Sequence, residues 1–162
     1  MENLILKQGD KFLDPFVTAT GKARAQVQLV ALRTLWFCTG TLCNLTCERC
    51  YIESSPRNDR LSYLSLDEVR SFLDEIETLG LATREIGLTG GEPFMNPQII
   101  AILESALARG FEVLVLTNAM RPMMKLQAPL LDLHHRFGSK LTIRVSLDHY
   151  TQERHELERG RR

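Results

Sequence analysis

The chain has 162 residues, 44% of them hydrophobic, and its 20 Lys+Arg balance its 20 Asp+Glu to a formal net charge of zero. This length suits one domain, and the composition excludes both a disordered chain and a collagen-like one. No apolar run reaches the roughly 18 residues that span a bilayer, and no export signal is visible at the N-terminus. We therefore expect a cytoplasmic protein with no nucleic-acid or membrane partner, because such binding depends on an excess of Lys and Arg.

The four cysteines are crowded between positions 38 and 50, at Cys38, Cys43, Cys47 and Cys50. Without an export signal, disulfides are not expected, and a tight group of cysteines is typical of a metal-binding or catalytic site. The spacing Cys43-x3-Cys47-x2-Cys50 places three thiols on one short loop. Structural zinc sites and cubane iron–sulfur clusters usually take four protein ligands. A cluster held by three thiolates therefore keeps one iron open for a substrate or cofactor.

Strands and helices alternate along the chain after residue 31. We expect residues 1–31 to form an N-terminal extension, with turns and a short strand at 27–32, and residues 32–162 to form the core domain. The predicted strands cover 32–38, 85–89, 111–117 and 141–147. Helices are expected from Ser65, which opens a capping box with Glu68, from Pro97 after an Asn96 cap, at 123–137 with a break near Pro129, and at 151–158.

Chemistry-bearing residues follow every predicted strand. The strands lack clear polar alternation, which favours a parallel sheet with helical crossovers. The cysteine loop follows the first strand and Gly90-Gly91-Glu92 follows the second, while Asn118 and Asp148 follow the third and fourth. Ligands of such sheets bind at the carboxyl ends of the strands, so these residues predict one shared site.

Two of these motifs together carry a resemblance to a known family. The motif Cys43-x3-Cys47-x2-Cys50 followed by Gly90-Gly91-Glu92-Pro93 resembles the radical SAM superfamily, above all its molybdenum-cofactor, nitrogenase-cofactor and peptide-modifying branch. The likeness runs over about 36–160 and includes the stretch His155–Gly160. It implies an α/β fold, a partial TIM-like (β/α) half-barrel of parallel strands with about four of the family's six units. We therefore expect a truncated chain that is poorly soluble or catalytically weak alone.

The resemblance also implies a cofactor set and a reaction. In the family, three cysteines (here Cys43, Cys47 and Cys50) hold a 4Fe–4S cluster whose fourth iron binds the amine and carboxylate of S-adenosylmethionine. An electron from a low-potential donor of ferredoxin or flavodoxin type cleaves that molecule to a 5′-deoxyadenosyl radical, which abstracts hydrogen from a substrate that the sequence leaves unknown. The implied cofactor-binding residues are Gly90, Gly91 and Glu92 at the methionyl end, with Asn118, Ser146 and Asp148 as further contacts.

Three other interpretations stay open at this point. Cys38 ends an apolar strand and is expected to be a core thiol, since a buried free cysteine behaves as a small hydrophobe. As a fourth ligand it would instead make a four-cysteine electron-transfer module. The three remaining thiols could also form a structural zinc site, or belong to a truncated, inactive remnant that binds metal without turnover.

Overall fold

The computed structural model describes residues 13–160. Residue contacts divide the chain into two compact units, Met1–Val30 and Ala31–Arg162. In the first unit a turn brings Val17 into an antiparallel bridge with Ala23. The short strand predicted at 27–32 is not formed. Val27 and Val30 are 94% and 96% exposed, so they gain none of the side-chain packing that stabilises a strand.

The second unit carries the alternating elements that the pattern predicts. Its strands are β1 (Thr34–Cys38), β2 (Glu85–Thr89), β3 (Glu112–Thr117) and β4 (Leu141–Val145). Its helices are α1 (Leu66–Thr78), α2 (Ile99–Ala108), α3 (Arg121–Met124), α4 (Gln127–Phe137) and α5 (Gln152–Glu158). All strand pairs are parallel, in the order β1-β2-β3-β4, which confirms the predicted α/β class. In the part of the chain that is described, no helix is both long and apolar enough to cross a membrane.

Helix α1 begins at the predicted capping box. The Ser65 hydroxyl accepts a hydrogen bond from the Glu68 amide at 3.2 Å, and the Ser65 amide donates to the Glu68 carboxylate at 2.8 Å. These bonds satisfy amides that the first turn of a helix leaves without partners.

Two helix starts differ from the prediction. A single 3-10 turn covers Pro93–Met95, and α2 begins at Ile99, two residues after the predicted Pro97. The buried Asn96 side chain accepts the Gln98 amide at 2.8 Å and donates to the Leu64 carbonyl at 2.7 Å in the turn before the helix. The predicted helix over 123–137 breaks before Gln127, so that Pro129 lies in the first turn of α4, where a missing amide is tolerated.

The hydrophobic core lies between one face of the sheet and helices α1, α2 and α4. Side chains alternate between the two faces of a strand, so Phe37 is buried against these helices while Trp36 and Cys38 face the other way and are exposed. The expectation that Cys38 is a core thiol is therefore wrong. On the uncovered face the Trp36 indole lies across Gly87, where an added Cβ would come within 2.4 Å of the ring.

Candidate functional site

A cavity of about 330 Å³ opens at the carboxyl edge of the sheet. The loops after all four strands contribute to its lining. Eight of the nine predicted site residues are among the lining residues: Cys43, Cys47, Cys50, Gly90, Gly91, Asn118, Ser146 and Asp148. The ninth, Glu92, is buried and does not line the cavity. The topology thus brings together residues that lie about a hundred positions apart in sequence.

The three cysteines of the loop are free thiols, and N–H groups point at each of them. The Leu45 amide donates to Cys43 Sγ at 3.4 Å and the Ser54 amide to Cys50 Sγ at 3.3 Å. The Arg159 guanidinium lies 3.9 Å from Cys47 Sγ. Such donors stabilise negative charge on sulfur, which is the state in which a thiolate binds metal.

Burial acts on the Cys43 thiol in the opposite direction. It raises the pKa of Cys43, while the hydrogen bond from the Leu45 amide lowers it. The Asn118 amide nitrogen adds a longer contact of 3.8 Å to the same sulfur. A positively charged metal centre at this position would offset the cost of a buried thiolate.

The donor set fits an iron–sulfur cluster. Three thiols surround one cavity, and hydrogen bonds to sulfur are a recognised feature of iron–sulfur sites. Among residues 13–160, no three Cys, His, Asp or Glu side chains converge closely enough to hold one metal ion. A multi-iron cluster does not require the three thiolates to converge on one metal ion, since each thiolate binds a different iron.

The glycines after β2 pack against the cysteine loop. The Gly91 amide donates to the Gly40 carbonyl at 2.8 Å, and the Glu92 amide donates to the Leu42 carbonyl at 3.0 Å. A Cβ at Gly91 would lie 2.1 Å from the Leu42 oxygen, and Gly90 has a φ of +132° that favours glycine. The close approach seen here is therefore between two segments of protein backbone, which fixes the cysteine loop on the sheet edge.

The Glu92 carboxylate lies beneath the cavity and holds the end of β3. It accepts hydrogen bonds from the Thr117 hydroxyl at 2.7 Å, the Asn118 amide at 2.9 Å and the Phe94 amide at 3.2 Å. Burial raises the pKa of Glu92, and the bonds from Asn118, Thr117 and Phe94 oppose that shift. Both carboxylate oxygens thus have partners within the protein.

Asn118 is the side chain that reaches from β3 to the cysteine loop. Its Nδ2 donates to Asn44 Oδ1 at 2.9 Å. Glu92 holds the Asn118 backbone, and the Asn118 side chain holds Asn44 of the cysteine loop. Together these two bonds set the distance between β3 and the loop.

The segment after β4 closes the cavity from the other side. Arg159, at the end of α5, forms an ion pair with Asp148 and donates to the Ser146 carbonyl at 3.0 Å. Next to it, Gly160 has a φ of +70°, and a Cβ there would lie 2.1 Å from the Thr46 oxygen. The end of α5 therefore packs directly on the cysteine loop.

Sequence reasoning left three residues of this site without a role. Thr117 ends β3 next to Asn118, and Arg159 precedes a glycine in the His155–Gly160 stretch. Their positions beside predicted site motifs could therefore have indicated that both belong to the site. Ser54 also lines the cavity, but a lone serine in a polar loop gives no pattern that sequence could use.

Comparison with known proteins agrees with this geometry. The model of the Radical SAM superfamily matches residues 37–162. The antilisterial bacteriocin subtilosin biosynthesis protein AlbA of Bacillus subtilis (strain 168) is 35% identical over 120 residues, which are 74% of this chain and 25% of AlbA. GTP 3′,8-cyclase of Pseudomonas fluorescens (strain Pf0-1) is 34% identical over 113 residues, which are 69% of this chain and 32% of the cyclase. The chain thus spans about a quarter to a third of these relatives.

The fold is also found among solved structures. Streptococcus suis SuiB bound to S-adenosylmethionine aligns with 82% of this chain and 29% of its own at a TM-score of 0.66 and 17% identity. SuiB bound to the precursor peptide SuiA gives a TM-score of 0.67 at 18% identity over 83% of this chain and 28% of its own. These likenesses confirm the partial TIM-like architecture. The family match covers β2 to β4, the cysteine loop and the cavity alike: the chain belongs to the radical SAM superfamily of enzymes.

Proposed function

We propose that this chain forms the S-adenosylmethionine-cleaving part of a radical SAM enzyme. The observation that carries the proposal is the single cavity into which the loops after all four parallel strands bring three free thiols. When bound, the 4Fe–4S cluster supplies the electron that cleaves S-adenosylmethionine to a 5′-deoxyadenosyl radical, which takes hydrogen from substrate. The protein contributes ligands, placement and electrostatics.

In this proposal Cys43, Cys47 and Cys50 each bind one iron. The amides of Leu45 and Ser54 stabilise two of the three thiolates, and the cysteine loop is held against the glycines after β2. A low-potential donor of ferredoxin or flavodoxin type delivers the electron.

The methionyl end of S-adenosylmethionine carries a carboxylate and an ammonium group, and the cavity offers a partner for each. The Arg159 guanidinium suits the carboxylate through a charge-assisted hydrogen bond, and the Asp148 carboxylate suits an ammonium. The Gly90-Gly91 backbone lines the same wall. Glu92 contributes by orienting that backbone and Asn118, since its side chain is buried and does not line the cavity.

The position of Cys38 favours a three-cysteine cluster over a four-cysteine electron-transfer module. Cys38 is exposed on the uncovered face of the sheet and does not line the cavity. Its Sγ lies 3.8 Å from the Gly40 carbonyl, which accepts the thiol hydrogen. A fourth thiolate at the cluster would also close the iron that S-adenosylmethionine needs.

Anaerobic reconstitution of cysteine variants tests the proposal. We expect Cys43→Ala, Cys47→Ala and Cys50→Ala to lose the iron and sulfide that the unaltered chain binds, and Cys38→Ala to keep them. We further expect 5′-deoxyadenosine, detected by mass spectrometry, when reductant and S-adenosylmethionine are added. Loss of the cluster in Cys38→Ala would favour the electron-transfer module, and a cluster without 5′-deoxyadenosine would favour an inactive remnant.

A further inference from the structure

Ser54 carries a buried hydroxyl that has no hydrogen-bond partner within residues 13–160. The residue is only 4% exposed, and it lines the same cavity as the three cysteines. A buried hydroxyl without a partner destabilises the fold, so native proteins rarely keep one. Because Ser54 lines the cavity, a group bound there is the candidate partner for this hydroxyl.

The backbone of Ser54 is tied to the Cys50 sulfur. The Ser54 amide donates to Cys50 Sγ at 3.3 Å, which fixes the residue four positions after the ligand. The neighbouring residue, Ser55, accepts the Cys43 amide on its carbonyl at 3.1 Å. Two bonds between this segment and the ligand cysteines thus hold the Ser54 side chain close to the sulfur-lined wall.

The partner of the Ser54 hydroxyl must be a hydrogen-bond acceptor, because the hydroxyl is buried and unpaired. A thioether or apolar ligand would leave it unsatisfied, whereas thiolate and sulfide sulfurs accept hydrogen bonds. The amide of the same residue already donates to a sulfur, so a second donor from Ser54 would strengthen the same electrostatic effect.

We propose that the Ser54 hydroxyl donates a hydrogen bond to the sulfur shell of the cluster on the Cys50 side and thereby raises its reduction potential. The inference rests on the proposed function, since it assumes a cluster at the three cysteines. A hydrogen bond to sulfur stabilises the reduced, more negative state of a cluster more than the oxidised state. Ser54 is then a positioning and tuning residue, not a ligand.

An electron paramagnetic resonance redox titration of the reconstituted chain, without S-adenosylmethionine, tests this. At the midpoint potential of the unaltered protein, we expect Ser54→Ala to lower the ratio of reduced to oxidised cluster about twofold to tenfold, where tenfold corresponds to about 59 mV for one electron. Ser54→Thr keeps the hydroxyl and should stay near the unaltered value. Ser71→Ala is the matched control, because the Ser71 hydroxyl donates to the Glu68 carbonyl on exposed α1. Should Ser54→Ala not hold iron, Ser54→Gly also lacks the hydroxyl and takes its place.

Each other result counts against the proposal. An unchanged midpoint in Ser54→Ala would mean that the hydroxyl binds water instead. A change that appears only after S-adenosylmethionine is added would assign the hydroxyl to that molecule. A midpoint that falls equally in Ser54→Thr would make the effect one of packing. If the unaltered chain binds no cluster, the proposed function fails as well, which the iron content shows separately.

Discussion

The Thr117 hydroxyl donates a hydrogen bond of 2.7 Å to the buried Glu92 carboxylate, and this bond joins the end of β3 to the loop after β2. The same carboxylate accepts the Asn118 amide, and Asn118 in turn contacts the cysteine loop. Two successive bonds through Asn118 therefore connect the acidic residue of the Gly90-Gly91-Glu92 motif to the loop that carries the thiols, and Thr117 is a further donor to the same carboxylate.

Thr117→Val tests that bond. The substitution keeps a β-branched side chain but leaves a buried carboxylate oxygen with one donor fewer, so we expect a loss of about 1–3 kcal/mol in the free energy of unfolding. Urea denaturation measures it. Thr142→Val, at an exposed position on β4, is the control and should change stability by less than about 0.5 kcal/mol. Equal effects of the two variants would contradict a special role for the buried bond.

Gly91→Ala tests the backbone contact between the two motifs. A Cβ at Gly91 would overlap the Leu42 oxygen, and neither backbone segment can move without opening the cysteine loop. We expect the variant to lose iron on reconstitution and to unfold at lower urea.

Gly80→Ala provides the matched control for that variant. Gly80 has a positive φ of +59°, but an added Cβ there meets no atom within 4 Å. The loss in the free energy of unfolding should be about 1–2 kcal/mol, with iron binding unchanged. If Gly91→Ala bound iron as Gly80→Ala does, the tight packing of the two loops would not be needed for the site.

Arg159→Lys tests the proposed partner of the methionyl carboxylate. Lysine keeps the charge but loses the planar fork that pairs with carboxylates, so we expect S-adenosylmethionine to bind about tenfold more weakly by calorimetry. Arg136→Lys is the control, because Arg136 pairs with Glu104 and Asp132 on the surface. Unchanged affinity in Arg159→Lys would remove this residue from the binding site.

The capping box of α1 gives a prediction for stability alone. Ser65→Ala should lower the free energy of unfolding by about 1 kcal/mol, because the Glu68 amide loses its acceptor. Thermal or urea unfolding measures the change. If Ser65→Ala were as stable as the unaltered chain, or more stable, the cap would contribute nothing to this helix.

The pH dependence of the same cap follows from Glu68. The backbone amide and hydroxyl of Ser65 lower the pKa of Glu68 below its usual 4.5. A carboxyl group whose pKa is lowered by folding stabilises the fold at pH values above its pKa in the unfolded state. This contribution is lost as the pH falls through its pKa in the folded state. We expect the stability difference between the unaltered chain and Glu68→Gln to shrink as pH drops below 4.5. A difference that grows with acidity would contradict the assignment.

Sequence patterns predicted the elements well because they depend on local periodicity and caps. The order of strands and helices, the capping box at Ser65 and the parallel sheet all followed from residues near each other in sequence. The predictions about Cys38 and the segment 27–32 failed because exposure depends on what packs against a strand, which composition does not contain.

Eight of the nine predicted site residues line one cavity, whereas the contacts between them were not predicted. Motif spacing pointed to the cysteines and the glycines, whereas the burial of Glu92 and the pairing of Arg159 with Asp148 need long-range geometry. The Gly91 contact with the Leu42 oxygen likewise depends on two loops meeting in space.

The most direct measurement is electron paramagnetic resonance of the anaerobically reconstituted, reduced chain with and without S-adenosylmethionine. If three cysteines hold a 4Fe–4S cluster with one open iron, the spectrum of the reduced cluster will change when S-adenosylmethionine is added, and Cys38→Ala will give the same change. A reduced cluster whose spectrum is identical in both conditions, or a chain that binds no iron–sulfur cluster, would contradict the proposed function.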